Sequence, residues 1–248
     1  MGAVRAGLTW IGEEPMSAET MTVHAADPAG RWLYRVGGIS ALVLAAGYVI
    51  IFALYAHVGA PPSGDGEVWF RYLAGKTTVW WAILGLSVLT DFLFVPFALS
   101  LYVALKGVNR DAMLVATAFV GLFVVLDLAV TWTHYASLLT LSSHYAAAAS
   151  DAQRATYIAA ATYASAVLAT RLFLIYAIVV LSFAILMIGF VMLKGIFNKT
   201  TAYLGMATGI LGIASLAGSG ITIIMNAVLA TAWILFAGYG LYRLAQRA

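Results

Sequence analysis

Asp91, Asp127 and Asn226 each interrupt a long apolar run. An ionisable residue in such a run costs about 2.5 to 3.5 kcal/mol on membrane-insertion scales and turns toward the interior of a helix bundle. Two carboxylates held together in low dielectric repel one another unless a counter-charge intervenes. Such a pair is a natural relay for protons or cations, so the chemistry on offer is the binding or conduction of a small polar solute or of protons. Two other readings compete. The carboxylates could act as acid and base on a lipid. Alternatively Ser87, Thr90, Thr131, Asn226 or backbone freed at Pro96 could satisfy them, leaving them only to set helix register in a structural or accessory subunit.

Helix rise converts sequence position into depth. Asp91 lies 15 residues from Lys106, Asp127 lies 16 from Asp111 and Asn226 lies 17 from Arg243. At about 1.5 Å per residue all three share one level, roughly 22 to 26 Å from the helix ends expected to be cytoplasmic. His134 and Arg171 are each 23 residues from the corresponding ends, which places them near the outer interface at roughly 35 Å. Asp127, Thr131 and His134 follow i, i+4, i+7 spacing and are expected on one face of the third helix. Arg171 can snorkel and is expected to partner Asp127 or His134. The result would be a polar layer of Asp91, Asp127 and Asn226 beneath an outer vestibule of Thr131, His134 and Arg171.

Pro96 cannot donate to the carbonyl of Phe92, and it is expected to kink the second helix just below Asp91. The candidate metal ligands Asp127, His134 and His144 do not converge in the sequence pattern, since His144 falls ten residues beyond His134, and no metal site is expected. No cofactor-binding signature is present. The chain has no Cys, which closes disulfides, thiolate metal sites and cysteine nucleophiles.

The elements that must hold these residues follow from length and hydropathy. Of 248 residues, 63% are hydrophobic and 9% charged, with a mean hydropathy of +0.96. Soluble domains carry about a quarter charged residues, so a soluble enzyme, a disulfide scaffold and a disordered protein are all excluded. Crossing roughly 30 Å of hydrocarbon takes about 20 apolar residues in helix. Six runs qualify, at about 36–57, 78–105, 112–141, 167–193, 201–217 and 220–242. The reading is an all-α, polytopic transmembrane bundle over 31–248. Ser150-Asp151 reads as a helix N-cap, opening a helical extension of the fourth span at about 151–166, outside the bilayer. The Gly-rich fifth span, with Gly205 and Gly209 four apart, offers a smooth face for close packing against the sixth helix or for a homo-oligomer.

Residues 1–30 hold Glu13, Glu14, Glu19 and Asp27 and no apolar core. They do not read as a signal peptide and are expected to be poorly ordered, with translation beginning at Met1, Met16 or Met21. If both termini are cytoplasmic, nine Lys and Arg (Arg5, Arg31, Arg35, Lys106, Arg110, Lys194, Lys199, Arg243 and Arg247) lie inside, against four (Arg71, Lys76, Arg154 and Arg171) outside. That bias favours the arrangement. The net charge of +3 is therefore topological, and the expected partner is the lipid bilayer, not nucleic acid. Asn198-Lys-Thr200 matches a glycosylation sequon but falls on the side expected to be cytoplasmic.

Three stretches carry a resemblance: Arg35-Val-Gly-Gly-Ile-Ser40 opening the first span, Thr90-Asp91-Phe-Leu-Phe94 in the second, and Leu101-Tyr-Val-Ala-Leu-Lys106-Gly-Val-Asn-Arg110 leading into the third. Over roughly Arg31 to Arg247 the chain resembles the bacterial membrane family labelled domain of unknown function 4386. It departs from that family at Gly107, where the turn commonly has Pro. The resemblance implies a multi-pass protein of the bacterial inner membrane. It implies no reaction, cofactor or site residue.

Overall fold

The computed structural model describes residues 30–217 and 220–247. The segment 1–29, for which irregular structure was expected, lies outside the described residues. Among the described residues every regular element is a helix. Six are long and apolar enough to cross a membrane: Arg31–Val58, Thr77–Leu105, Arg110–Ala146, Arg171–Met192, Lys199–Ala217 and Gly220–Arg247. The chain is an all-α, multi-pass membrane protein. Helices serve here because in hydrocarbon a backbone polar group finds no water and must be satisfied within its own segment.

In chain order the elements are α1 (Arg31–Val58), α2 (Gly66–Leu73), α3 (Thr77–Leu105), α4 (Arg110–Leu126), α5 (Thr133–Ala146), α6 (Asp151–Leu168), α7 (Arg171–Leu174), α8 (Val180–Met192), α9 (Lys199–Ala214) and α10 (Gly220–Arg247). A π-helical turn, Asp127–Trp132, joins α4 to α5, and a second, Ile175–Val179, joins α7 to α8. Polar side chains start several helices by accepting from backbone N–H groups that have no partner within the helix. Asp65 accepts from Val68, Asn109 from Ala112 and Ser150 from Gln153. Asn198, the residue of the sequon, caps α9 by accepting from both the amide and the hydroxyl of Thr201 at 2.7 Å.

The spans close into a ring in which α3 packs on α1, α1 on α10, α10 on α9, α9 on α8, α8 on α4 and α4 on α3. The Arg31 guanidinium donates to the Ala245 carbonyl at 3.1 Å, so the first and last spans end on one face, called here the terminal face. Near it α1 and α10 touch backbone to backbone. A Cβ added at Gly38 would come within 2.8 Å of the Tyr242 nitrogen and 3.1 Å of the Gly238 carbonyl oxygen. Such contact through small residues is how helices associate when lipid supplies no hydrophobic drive. The expected packing of α9 glycines on the sixth span is also seen, because a Cβ on Gly205 would strike Trp233, but Gly209 and Gly212 face α8 as well. Pro96 lies inside α3, which continues through it to Leu105.

On the opposite face a cap covers the ring. The third span has 37 residues, about 55 Å at 1.5 Å per residue against roughly 30 Å of hydrocarbon, and it ends in α5. Where a helical extension of the fourth span is expected at about 151–166, the helix Asp151–Leu168 is separated from that span by a break: it stops at Ala169, Thr170 caps a new helix beginning at Arg171, and α6 packs on α5 and α2. The amide of Gly66 donates to Thr162 at 3.0 Å. Trp69, Trp80, Tyr135, Leu138 and Ala161 form the buried cluster beneath, with the rings of Trp80 and Tyr135 stacked at 5.2 Å. Tyr72 donates to the Gly59 carbonyl at 2.7 Å and Lys76 to the Val58 carbonyl at 2.9 Å, fastening the α1–α2 linker to the cap. Partial burial holds the Tyr72 phenol above its ordinary pKa, so it stays protonated as that donor.

Candidate functional site

The two π-helical turns lie side by side on neighbouring spans. Each widens one span by about a residue per turn, a distortion that is rare in helices and frequent at functional sites. Beside them, under the cap, lies a partly open cavity of about 300 Å³. Its wall is drawn from α1, α3, the α4–α5 and α7–α8 spans and α10.

Asp91, Asp127 and Asn226, expected on one level in three helices, all line this cavity, and Thr131 lines it with them. All four are buried; Asp91 keeps 2% of its surface and Asp127 5%. The two carboxyl groups lie beside each other, and Trp132 is within reach of both. The Trp132 indole donates to Asp127 Oδ2 at 3.1 Å. No hydrogen bond reaches Asp91 Oδ2 or Asp127 Oδ1, and Thr131 Oγ1 sits near Asp127 without completing one. Several of the groups that might have quieted these carboxylates are engaged elsewhere. Thr90 donates to the Ser87 carbonyl at 2.7 Å, and the Asn226 amide donates to the Thr208 carbonyl of α9 at 2.8 Å. Gly212 permits that last contact, since a Cβ there would collide with Ser182 and the Asn226 amide.

His134 and Arg171 do not line the cavity, which corrects the expected vestibule. The reason for His134 is the π-helical turn. One extra residue between Asp127 and Thr133 advances the following side chains by about 100°, so the face that i+7 would have reached is reached by i+8. Tyr135 and Trp132 accordingly enter the lining. His134 Nδ1 sits 2.6 Å from the Val130 carbonyl and its ring lies against Tyr163. Arg171 is the exposed first residue of α7, beyond the Thr170 cap. The ion pairs among the described residues join Arg71 to Glu67 and Arg154 to Asp151, neither involving Arg171. His144 stacks on Tyr157 in the cap, away from Asp127.

Aromatic side chains that the polar pattern does not single out complete the wall: Tyr48, Phe52 and Tyr55 from α1, Phe123 from α4 and Phe173 from α7. One sign of them is visible in the sequence, because Tyr48, Phe52 and Tyr55 recur at i, i+4, i+7 and share a helix face. Among the described residues no Lys, Arg or His lines the cavity. No family model, no curated protein and no solved structure matches this chain.

Proposed function

We propose that this is a membrane protein that binds, and passes across the bilayer, a small polar solute or protons at the cavity holding Asp91 and Asp127. The observation that carries this reading is the pair of adjacent buried carboxylates, each with an oxygen lacking a hydrogen bond, in a cavity without a basic lining residue. Burying charge without a partner is costly, and breaking one member of a well-paired buried network usually unfolds more than it preserves. Thr131 can reach Asp127 alone, so the pair still calls for a partner from outside the fold, as a proton, as water or as a solute. The cavity has polar lining residues and is roomy enough to admit them.

Orientation and location belong to the same proposal. The face holding Arg31 and Arg247 is the cytoplasmic face of a bacterial inner membrane, on the bias of nine Lys and Arg against four. Membership of the family labelled domain of unknown function 4386 rests on the three sequence stretches around Arg35, Asp91 and Lys106.

The test is proton flux into liposomes holding the purified protein, read by an enclosed pH-sensitive dye under an imposed potential. Wild type should pass protons, and Asp91→Asn, inserted at the same level, should lose that flux. Equal flux in wild type, Asp91→Asn and Asp127→Asn would remove the carboxylates from any transport role. Consumption of the host lipid by the purified protein would favour the acid–base enzyme instead.

A further inference from the structure

The lining of the cavity is specific about the charge and shape of what it can hold. An anion would meet two carboxylates with no Lys, Arg or His in the wall to offset them. A bare metal ion such as Ca²⁺ takes six to eight oxygen ligands, whereas here two carboxyls and a few hydroxyls share a wall that is mostly aromatic and aliphatic. An uncharged polyol would find hydroxyl partners in the wall but would leave the buried carboxylates without an offsetting charge. A cation with a hydrocarbon coat has neither difficulty. Its charge offsets the carboxylates, and aromatic faces attract it through their quadrupole by about 0.5 to 2 kcal/mol each.

We propose that the ligand of this cavity is a small organic monocation, a protonated amine or quaternary ammonium, seated against Asp91 and Asp127 with its hydrocarbon among Tyr48, Tyr55, Trp132 and Tyr135. This rests on the cavity being a solute site, as proposed above, and names the solute class. Three features support it together. Asp91 and Asp127 both line the cavity, each carries an oxygen that lacks a hydrogen bond, and Asp91 is 98% buried, since it keeps 2% of its surface. The aromatic side chains come from α1, the α4–α5 span and α7, and so surround the pair from several sides. The volume of about 300 Å³ lies at the low end of small-molecule pockets, roughly 300 to 1,000 Å³, room enough for a choline-sized cation. The charge balances when one proton stays on the carboxylate pair, as like charges sharing a site favour: the single positive charge of the entering cation then meets a single negative charge, water is displaced, and no covalent bond between heavy atoms is made or broken.

The experiment is calorimetric titration of the full chain in lipid nanodiscs with choline, with its uncharged isostere 3,3-dimethylbutan-1-ol and with 3,3-dimethylbutanoate. Choline should bind saturably at one site, and both other compounds at least about tenfold more weakly. Asp91→Asn and Asp127→Asn should each weaken choline about tenfold or more, and Tyr48→Leu by about twofold to thirtyfold, the range a cation–aromatic contact supplies. A melting curve for each variant separates lost binding from lost fold, and Tyr48→Leu serves if an aspartate variant does not fold. Equal binding of choline and its uncharged isostere overturns the cation and leaves a neutral-solute site standing. Absence of choline binding alongside Asp91-dependent proton flux also overturns the cation, but leaves the proton reading intact. Absence of both binding and flux overturns the two proposals together.

Discussion

The terminal half and the capped half of this bundle use the same six spans and reach opposite results. Toward the terminal face α1 and α10 meet at Gly38 and Gly238, and Phe94, Phe97, Leu101 and Trp233 fill the centre. The Phe97 and Trp233 rings lie edge to face at 5.6 Å, and the void left beside them is about 10 Å³, at the limit of what one water occupies. Toward the cap the two π-helical turns and several aromatic side chains border a cavity of about 300 Å³. In lipid nothing squeezes helices together except packing itself. Small residues therefore decide where the bundle closes, and widened turns with bulky side chains decide where it stays open.

That contrast can be broken most severely at the closed end. Gly38→Leu would drive a side chain into the backbone of α10, where no rotamer change can make room. We expect no monodisperse protein on gel filtration, while Gly121→Leu, at a glycine with nothing within 4 Å of its added Cβ, should elute as wild type. Trp233→Ala should cost about 3 to 5 kcal/mol, the range for emptying a large aromatic from a packed core, read from denaturant unfolding in mixed micelles. At the open end the sign should change. Replacing Asp91 and Asp127 together by Leu removes two underpaired buried charges, and by analogy with buried ion pairs exchanged for apolar residues it should leave stability unchanged or raise it by about 1 to 4 kcal/mol. A large loss in that variant would show the pair to be structural, against the proposed role. The smallest effect belongs to the cap: Asp65→Ala removes the acceptor for the Val68 amide at 3.0 Å and should lower stability by about 1 kcal/mol, visible as a small fall in melting temperature.

The spans were legible because the criterion for them is nearly one-dimensional. A run of about 20 apolar residues between Lys, Arg, Gly and Pro is long enough to cross hydrocarbon whatever surrounds it, and all six runs became long helices. The co-location of Asp91, Asp127 and Asn226 was legible for a related reason. A constant rise per residue turns position into depth, and buried polar groups turn inward. His134 was misplaced because a 3.6-residue turn was assumed where the chain makes a wider one at Asp127–Trp132, and no residue type in that stretch announces the change. The break between α6 and the fourth span was not legible because the Ala-rich stretch reads as helix whether or not it runs on unbroken into that span.

Composition and local pattern settle that this chain is a helical membrane protein and how many helices it has that are long and apolar enough to cross, since each follows from a cost paid by every segment alone against water or lipid. The wall of the cavity was decided only when the helices assembled. Which side chains face one another there depends on the rotation of each helix about its axis, and the wall is shared by residues more than 100 positions apart, such as Tyr48 and Phe173. One inserted residue in a turn rotates everything beyond it by about 100°, and whether a helix accepts that insertion is determined by what its neighbours in the ring can pack against.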